Sequence, residues 1–485
     1  MIDQELLAIA AVATPAACGA VVAVAPRRLI GGVAILGAVA TFATSATLAV
    51  PVLIDPTRRT VTNWIALDAA AALLLVVIAT VGFASVLLSP AYLSAPHGPA
   101  TGHQPRFYYV CLFAFWTTLL AVPLAGNLAA GWLLIEATTA TSAILVGFNG
   151  KPRALEAGWK YLILTTLGLG VALLGIVLLA AGVPGHGLGS LSWRSLPNYA
   201  LGDQTALVAY VLLLAGLAAK IGWAPVHNWL PDAHSEAPPA VSALLSAALL
   251  PTVLLVAWRC EHSLAPVIGT RTAQNVLISF GLASLAVAAP FLSRPLAWKR
   301  LLAYSSLEHL GVIALGIGFG SPLALAGVTI HILGHAIAKA LGFYAATPLL
   351  GHEPRSAGHA ITGIGYTKPG LAATLGLSLG TLAGMPPSPL FVSEVLIIAG
   401  GFQAGRGWAA AAAALFLALG FLGVAHAMLE TIAGKSHRRD PANSPGLRGV
   451  SAVSGISLVL LLGLTATALW LPGSAFVEAL VRGVG

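Results

Sequence analysis

Residues 220–246 read KIGWAPVHNWLPDAHSEAPPAVSALLS, and this stretch decides the fold. A lysine closes a long apolar run, and Pro225 and Pro231 then interrupt the helix that it ends. An ammonium group at the centre of a lipid bilayer costs about 2.5 kcal/mol or more. Broken backbone at that depth is tolerated only where protein encloses it or where it lines a water-filled cavity. A charge beside such a break is how ion transporters build a path.

The rest of the chain agrees. Of its 485 residues, 58% are hydrophobic and 8% are charged, and the mean hydropathy is +0.90. A soluble domain carries about 25% charged residues. The expected fold class is therefore an all-α polytopic membrane protein. Cys18, Cys111 and Cys260 lie in or beside apolar runs without cluster spacing, which argues against an iron–sulfur cluster or a disulfide framework. No cofactor or metal is expected in this chain. The net charge of +8 is spread over short loops, so it speaks of membrane orientation and not of nucleic acid. The N-terminus, MIDQELLAIA, lacks a basic leader and is expected to be a retained first helix.

A spanning helix needs about 20 apolar residues. The pattern predicts fourteen: 5–26, 29–53, 65–89, 107–125, 127–148, 158–183, 205–224, 239–258, 273–293, 300–319, 322–349, a broken 368–400, 407–432 and 450–472. The loops between them are short and turn-rich, as in APRR, DPTRR, SAPHGPATGHQPR, GHEPRSAGH and SHRRDPANSPG. Fifteen basic residues fall in alternate loops: Arg27, Arg28, Arg106, Lys151, Arg153, Lys160, Arg294, Lys299, Arg300, Arg355, Lys368, Lys435, Arg438, Arg439 and Arg448. The opposite set holds seven: Arg58, Arg59, Arg194, Arg259, Arg271, Arg406 and Arg482. The richer set is cytoplasmic by the positive-inside rule, so both termini are expected on the outer face of a prokaryotic inner membrane. Lys220 and Lys339 are the basic residues left over, and both lie inside apolar segments.

Two segments are interrupted by proline. One runs from Lys220 to Pro239; the other is TLAGMPPSPLFVSEVLIIAG, with Pro386, Pro387 and Pro389 ahead of Glu394. Such a pair in corresponding positions suggests two inverted five-helix repeats. The expected organisation is three N-terminal helices in 1–106, a first repeat in 107–258, a second in 273–432 and a final helix in 450–485.

Each buried charge has a functional and a structural reading. Glu136, mid-run in AGNLAAGWLLIEATTATSAILVG, needs a cationic partner, and Lys220 is the natural one. Burial and pairing push their proton affinities in opposite directions, so a pair that opens and closes can load and release a proton. The alternative is a static pair that fixes helix packing. His331, His335 and Lys339 recur every four residues, so they share one helix face at steps of about 6 Å. A chain of waters and imidazoles along that face can relay protons. Structural hydrogen bonding, a metal site or a haem pair are the rivals, and a metal would need ligands from elsewhere. Glu394 either ends the relay or is an acid favoured by a helix N-terminus. Glu308 and His309, placed near the cytoplasmic end of the tenth span, either link the halves or open an access path. His234, with Asp232 and Glu236, is expected mainly to fix a loop by hydrogen bonding, with proton uptake as a lesser role. His227 stands between these readings. Asp68 is expected to cap the third span.

These residues carry a resemblance. GWLLIEATT, AKIGWAPVHNWLPDAHSEAPPAVSALLS, KRLLAYSSLEHLG, HILGHAIAKA and GMPPSPLFVSE follow one another in the order of the antiporter-like membrane subunits. That family spans the proton-pumping subunits of respiratory complex I, the Mrp-type Na⁺/H⁺ antiporters, and membrane subunits of group 4 [NiFe]-hydrogenases and formate hydrogenlyases. The resemblance covers about residues 60–435, and the SLEHLG and MPPSPLFVSE forms are most similar to the hydrogenase-4 component F branch. It implies fourteen helices with two inverted repeats. It also implies Glu136 and Lys220 as the paired charges of the fifth and seventh helices. His331, His335 and Lys339 match the polar face of the eleventh helix, and Glu394 the terminal charge of the twelfth. One departure stands out: Pro251 occupies a position where many complex I members carry a lysine. The path between Lys220 and Lys339 then lacks a titratable bridge, which water or His335 would have to supply.

The function so implied is proton translocation by a subunit of a membrane-bound [NiFe]-hydrogenase or related oxidoreductase. Nickel–iron and iron–sulfur centres belong in partner subunits, membrane-embedded and soluble. The alternatives are a complex I-type pumping subunit, a non-pumping scaffold and an Mrp-type antiporter subunit. Lipid and protons complete the expected partners; nucleic acid is not among them.

Overall fold

The computed structural model describes residues 4–94, 105–182, 191–196, 202–349, 362–434, 447–467 and 470–482. The loop residues Arg355, Lys435, Arg438 and Arg439 lie outside them. The chain opens with α1 (Gln4–Val24), α2 (Ile30–Ile54), α3 (Ala69–Leu93), α4 (Pro105–Ala121), α5 (Leu128–Val146), α6 (Pro152–Ala181) and α7 (Asp203–Ile221). The short α8 (Leu230–Glu236) follows the first break. α9 (Pro239–Leu244) runs through a wide turn at Leu245–Leu249 into α10 (Leu250–Ile268). Next come α11 (Thr270–Leu292), α12 (Trp298–Phe319), α13 (Pro322–Ala345) and the one-turn α14 (Ile364–Thr367). The second broken span is α15 (Pro369–Leu382) and α16 (Pro389–Gln403). α17 (Gly407–Ala433), α18 (Leu447–Thr467) and the short α19 (Ala475–Arg482) close the described chain.

Among the described residues, twelve helical stretches are long and apolar enough to cross a membrane. The 17-residue α4 and the α15–α16 pair stand at the other two expected positions. The protein is a polytopic all-α membrane protein. The third span starts later than predicted, because residues 60–67 form a small antiparallel hairpin, β1 (Thr60–Val61) with β2 (Ala66–Leu67). Asp68 then caps α3 as expected, its Oδ1 accepting from the Ala71 amide at 2.7 Å. The eighth span runs ten residues past the predicted end at 258, to Ile268.

Burial sorts the helices. α9–α10, α12 and α13 are the most enclosed, α3 comes next, and α1, α17 and α18 keep much of their apolar surface exposed. Without a hydrophobic drive between helices in lipid, packing rests on small residues that let backbones approach. Gly168 and Gly216 do this for α6 against α7, and Gly281 and Gly311 for α11 against α12. A Cβ on Gly216 would meet the Ala172 amide nitrogen and the Gly168 carbonyl.

Candidate functional site: two buried lysines and a histidine cluster

The break after α7 places Lys220. Gly222 ends the helix at φ 82, a left-handed conformation open to glycine, and its amide closes onto the Ala218 carbonyl at 2.8 Å. The lysine is fully buried in the last turn, where the carbonyl end of the helix favours a cation. Its Nζ donates to Thr139 Oγ1 at 2.7 Å and to the Tyr161 hydroxyl, and lies 4.5 Å from the centre of the Tyr161 ring. Ser142 holds the same hydroxyl from the other side at 2.7 Å.

Glu136 is near this group without touching it. No nitrogen–oxygen contact within 4.0 Å joins it to Lys220. Its Oε1 accepts from Thr166 Oγ1 on α6 at 2.8 Å, and its buried Oε2 has no protein partner. The direct ion pair expected from the sequence is therefore absent, and the two side chains take separate partners. Thr139, three residues along α5, meets the lysine, while Glu136 turns toward α6.

The second cluster forms where α12, α13 and α16 meet. His331, His335 and Lys339 are all fully buried, as their shared face predicts. Lys339 Nζ donates to the Leu302 carbonyl at 2.5 Å and to Ser305 Oγ at 2.8 Å, both on α12. His331 bonds Ser393 Oγ through Nδ1 at 2.8 Å, and its Nε2 lies 3.1 Å from His309 Nδ1. The His309 ring centre is 5.4 Å from that of His335, whose two nitrogens have no protein partner. Glu308 and His309 sit in the middle of α12, which runs from Trp298 to Phe319, and not near its end as expected. Both are buried, Glu308 so close to Gly420 on α17 that a Cβ there would overlap its carboxylate.

The second break places Glu394. Gly384 turns the chain at φ 68, Ser388 caps α16 by accepting from the Phe391 amide at 3.3 Å, and Pro389 opens the helix. Glu394 is thus beyond the first turn of α16, where the pull of a helix N-terminus has largely faded. Its carboxylate packs on Gly384, and its oxygen comes within 4.8 Å of a ring nitrogen on each of His309 and His331.

His234 does not fix a loop. It is fully buried on α8, and neither ring nitrogen has a protein partner. It stacks between Phe343 on α13, at 5.3 Å, and Trp229, at 6.5 Å. Trp229 in turn packs 4.7 Å from Tyr161, the residue that holds Lys220. His234 therefore stands between the two lysine groups. α8 folds back against α6 and α12 and carries the histidine inward. Asp232, on the same short helix, does act as an anchor, pairing with Arg300 on α12 and with Lys160 on α6 at 3.4 Å. His227 is nearly buried, with Nδ1 unpartnered and its ring 6.5 Å from Tyr304.

The Pro251 departure is also built into the backbone. Proline has no amide to donate to the carbonyl four residues back, and its ring crowds that carbonyl. The preceding turn widens, the Leu250 amide bonding the Leu245 carbonyl.

One charged pair was not foreseen from the sequence. Arg259, expected in a loop, lies inside α10 and is fully buried. It donates to Asp68 Oδ2 at 2.8 Å and to the Pro123 carbonyl at 2.8 Å. It fastens α10 to the start of α3 and to the turn before α5. The apolar run that stops at Trp258 gave no sign of this.

Comparison with known proteins agrees with the geometry. A hydrogenase-4 component F homolog of Methylacidiphilum infernorum is 32% identical over 331 residues, which cover 66% of this chain and 69% of that protein. Subunit N of the NADH-quinone oxidoreductase of Desulforudis audaxviator is 27% identical over 362 residues, 72% of this chain and 70% of that one. Among solved structures, a chain of the membrane-bound sulfane sulfur reductase, an archaeal respiratory membrane complex, superposes with a TM-score of 0.86 at 20% identity. That superposition covers 99% of this chain and 97% of the other. Residues 125–422, which carry both breaks and every buried charge of the two clusters, match the family described as NADH:quinone oxidoreductase/Mrp antiporter, transmembrane. The chain belongs to that family and is an antiporter-like membrane subunit.

Proposed function

We propose that this chain translocates protons as a subunit of a membrane-bound [NiFe]-hydrogenase-type oxidoreductase. The observation that carries the reading is the line of titratable groups from α5 to α16, enclosed between two half-buried ends. It runs from Glu136 through Lys220, His234, His335 and Lys339 to Glu308, His309, His331 and Glu394. Lys220 and Lys339 are each held by hydroxyl and carbonyl oxygens with no carboxylate in contact. The charge on each lysine therefore responds to the charges that surround it. His234, buried between Trp229 and Phe343, supports the reading by adding a titratable ring between the two lysine groups. The chain supplies the path and no redox group. Electron chemistry belongs to partner subunits, and its energy reaches the path by altering the balance between Glu136 and Lys220.

The branch rests on the hydrogenase-4 relative and on the SLEHLG and MPPSPLFVSE motifs. A non-pumping scaffold is the second reading, favoured by Pro251 and by the missing contact between Glu136 and Lys220. Lys220→Ala in the native complex separates the two. With assembly intact, proton uptake into inverted membrane vesicles is lost if the path conducts. Full uptake in that variant sinks the proposal.

A further inference from the structure

We propose that His309, His331 and Glu394 form a binding site for a divalent transition-metal ion of the zinc class, at the meeting point of α12, α13 and α16. One ligand atom from each of these side chains lies within 4.8 Å of the other two. A tetrahedral ion with bonds of about 2.0–2.1 Å keeps its ligands about 3.3 Å apart, so Glu394 must swing toward the histidines by up to about 1.5 Å to complete the set. The two histidines already meet that spacing, at 3.1 Å.

The hydrogen bonds present the right lone pairs. Ser393 Oγ donates to the Leu390 carbonyl at 2.7 Å, so it accepts from His331 Nδ1–H. A metal-binding histidine is oriented in this way, with its remote N–H held by an outer partner and its other nitrogen bare. His331 Nε2 is then the unprotonated nitrogen, and it accepts from His309 within the cluster. His309 now donates from Nδ1 to it. Moving that proton to Nε2, which has no protein partner, frees Nδ1 as the second ligand without loss of charge. Glu394 supplies the third ligand through a carboxylate oxygen, which the metal's positive charge keeps ionised once the ion is bound. Two imidazoles and a carboxylate suit zinc, cobalt or nickel, whereas sodium and calcium prefer oxygen ligands throughout. Three protein ligands leave one position open. The ion takes the His309–His331 hydrogen bond apart and holds both rings still. Binding itself does not depend on whether the chain moves protons.

The test uses the native complex, washed with chelator and titrated with Co²⁺. The expected result is one Co²⁺ per copy of this chain beyond that bound by the Glu394→Gln and His331→Gln complexes. The intense visible band of tetrahedral cobalt accompanies it, and one equivalent of Zn²⁺ removes it. Glu136→Gln, on the far side of the bundle, keeps the band. Equal cobalt stoichiometry and spectra in wild type and Glu394→Gln overturn the proposal. So does a wild-type complex showing only the weak spectrum of hydrated cobalt, an outcome that needs no variant to assemble.

Discussion

A buried histidine with two unpartnered nitrogens is a cost, and His234 and His335 each carry it. Leaving a buried polar group without a partner costs about 1–3 kcal/mol, and a phenyl ring of similar shape would avoid it. The aromatic neighbours of His234, Trp229 and Phe343, already make the pocket suited to a phenylalanine. His234→Phe is therefore expected to keep the fold and the assembly. It removes the titratable ring between Lys220 and Lys339, so proton uptake into vesicles should fall about a hundredfold, the lower end for removing a proton-passing group. Unchanged uptake would mean that the path bypasses α8. This residue also marks a limit of the sequence. Lys220 and Lys339 were legible because a lone cation in an apolar run cannot face lipid without a large penalty, so it must turn into the bundle. His234 was not, because Asp232, Glu236, Pro238 and Pro239 around it read as an exposed loop. Asp68 and Arg259 were hidden for a different reason. Each looks like a helix-end residue, and their pairing joins positions 191 residues apart.

At the scale of elements, the two proline breaks do similar work by different means. After α7, Gly222 ends the helix and leaves the lysine at its carbonyl end; before α16, Ser388 and Pro389 start a helix that carries the glutamate inward. The breaks could be located in sequence because glycine and proline punctuate apolar runs, and the lengths of those runs placed the twelve long spans among the fourteen expected. Helix ends were less legible. α10 outlasts its apolar run because buried pairing lets Arg259 stay inside the helix. The close approach of α6 to α7 was hidden too, since the sequence does not say which face of a glycine-bearing helix meets a neighbour. Gly216→Leu is expected to separate the two helices and pull Lys220 away from Tyr161. Backbone yields less readily than a side chain, so the loss should exceed the usual 1–3 kcal/mol or so of overpacking. It would be read as a lower thermal midpoint of the purified complex or failed assembly. Gly170→Leu, on α6 with open space beside it, is the matched control and should leave the midpoint unchanged. Equal effects of the two would sink the packing argument.

For the whole molecule, the arrangement has a direction. The enclosed helices α9–α10, α12 and α13 hold the second cluster, while Glu136 on α5 is only half-buried and shares its helix with the exposed Leu133 and Ile144. A carboxylate at the edge of the bundle, with one oxygen unpartnered, is open to the field of whatever packs beside it. The charge line thus begins at the periphery and passes through the core to Glu394, itself half-buried on α16. Purifying the native complex in mild detergent and identifying its subunits and metals tests this directly. A hydrogenase-type assembly predicts nickel, iron–sulfur subunits and hydrogen-dependent electron transfer, together with a membrane neighbour that crosslinks to α5. Within it, Glu136→Gln should leave electron transfer to soluble acceptors intact and abolish its coupling to proton movement, since the amide keeps the Thr166 bond and removes only the charge. Flavin and NADH oxidation without nickel would place the chain on the NADH-quinone side with the same prediction for Glu136. Coupling retained in Glu136→Gln would mean that the drive enters elsewhere, and a chain that purifies alone would leave the stand-alone antiporter as the reading to pursue.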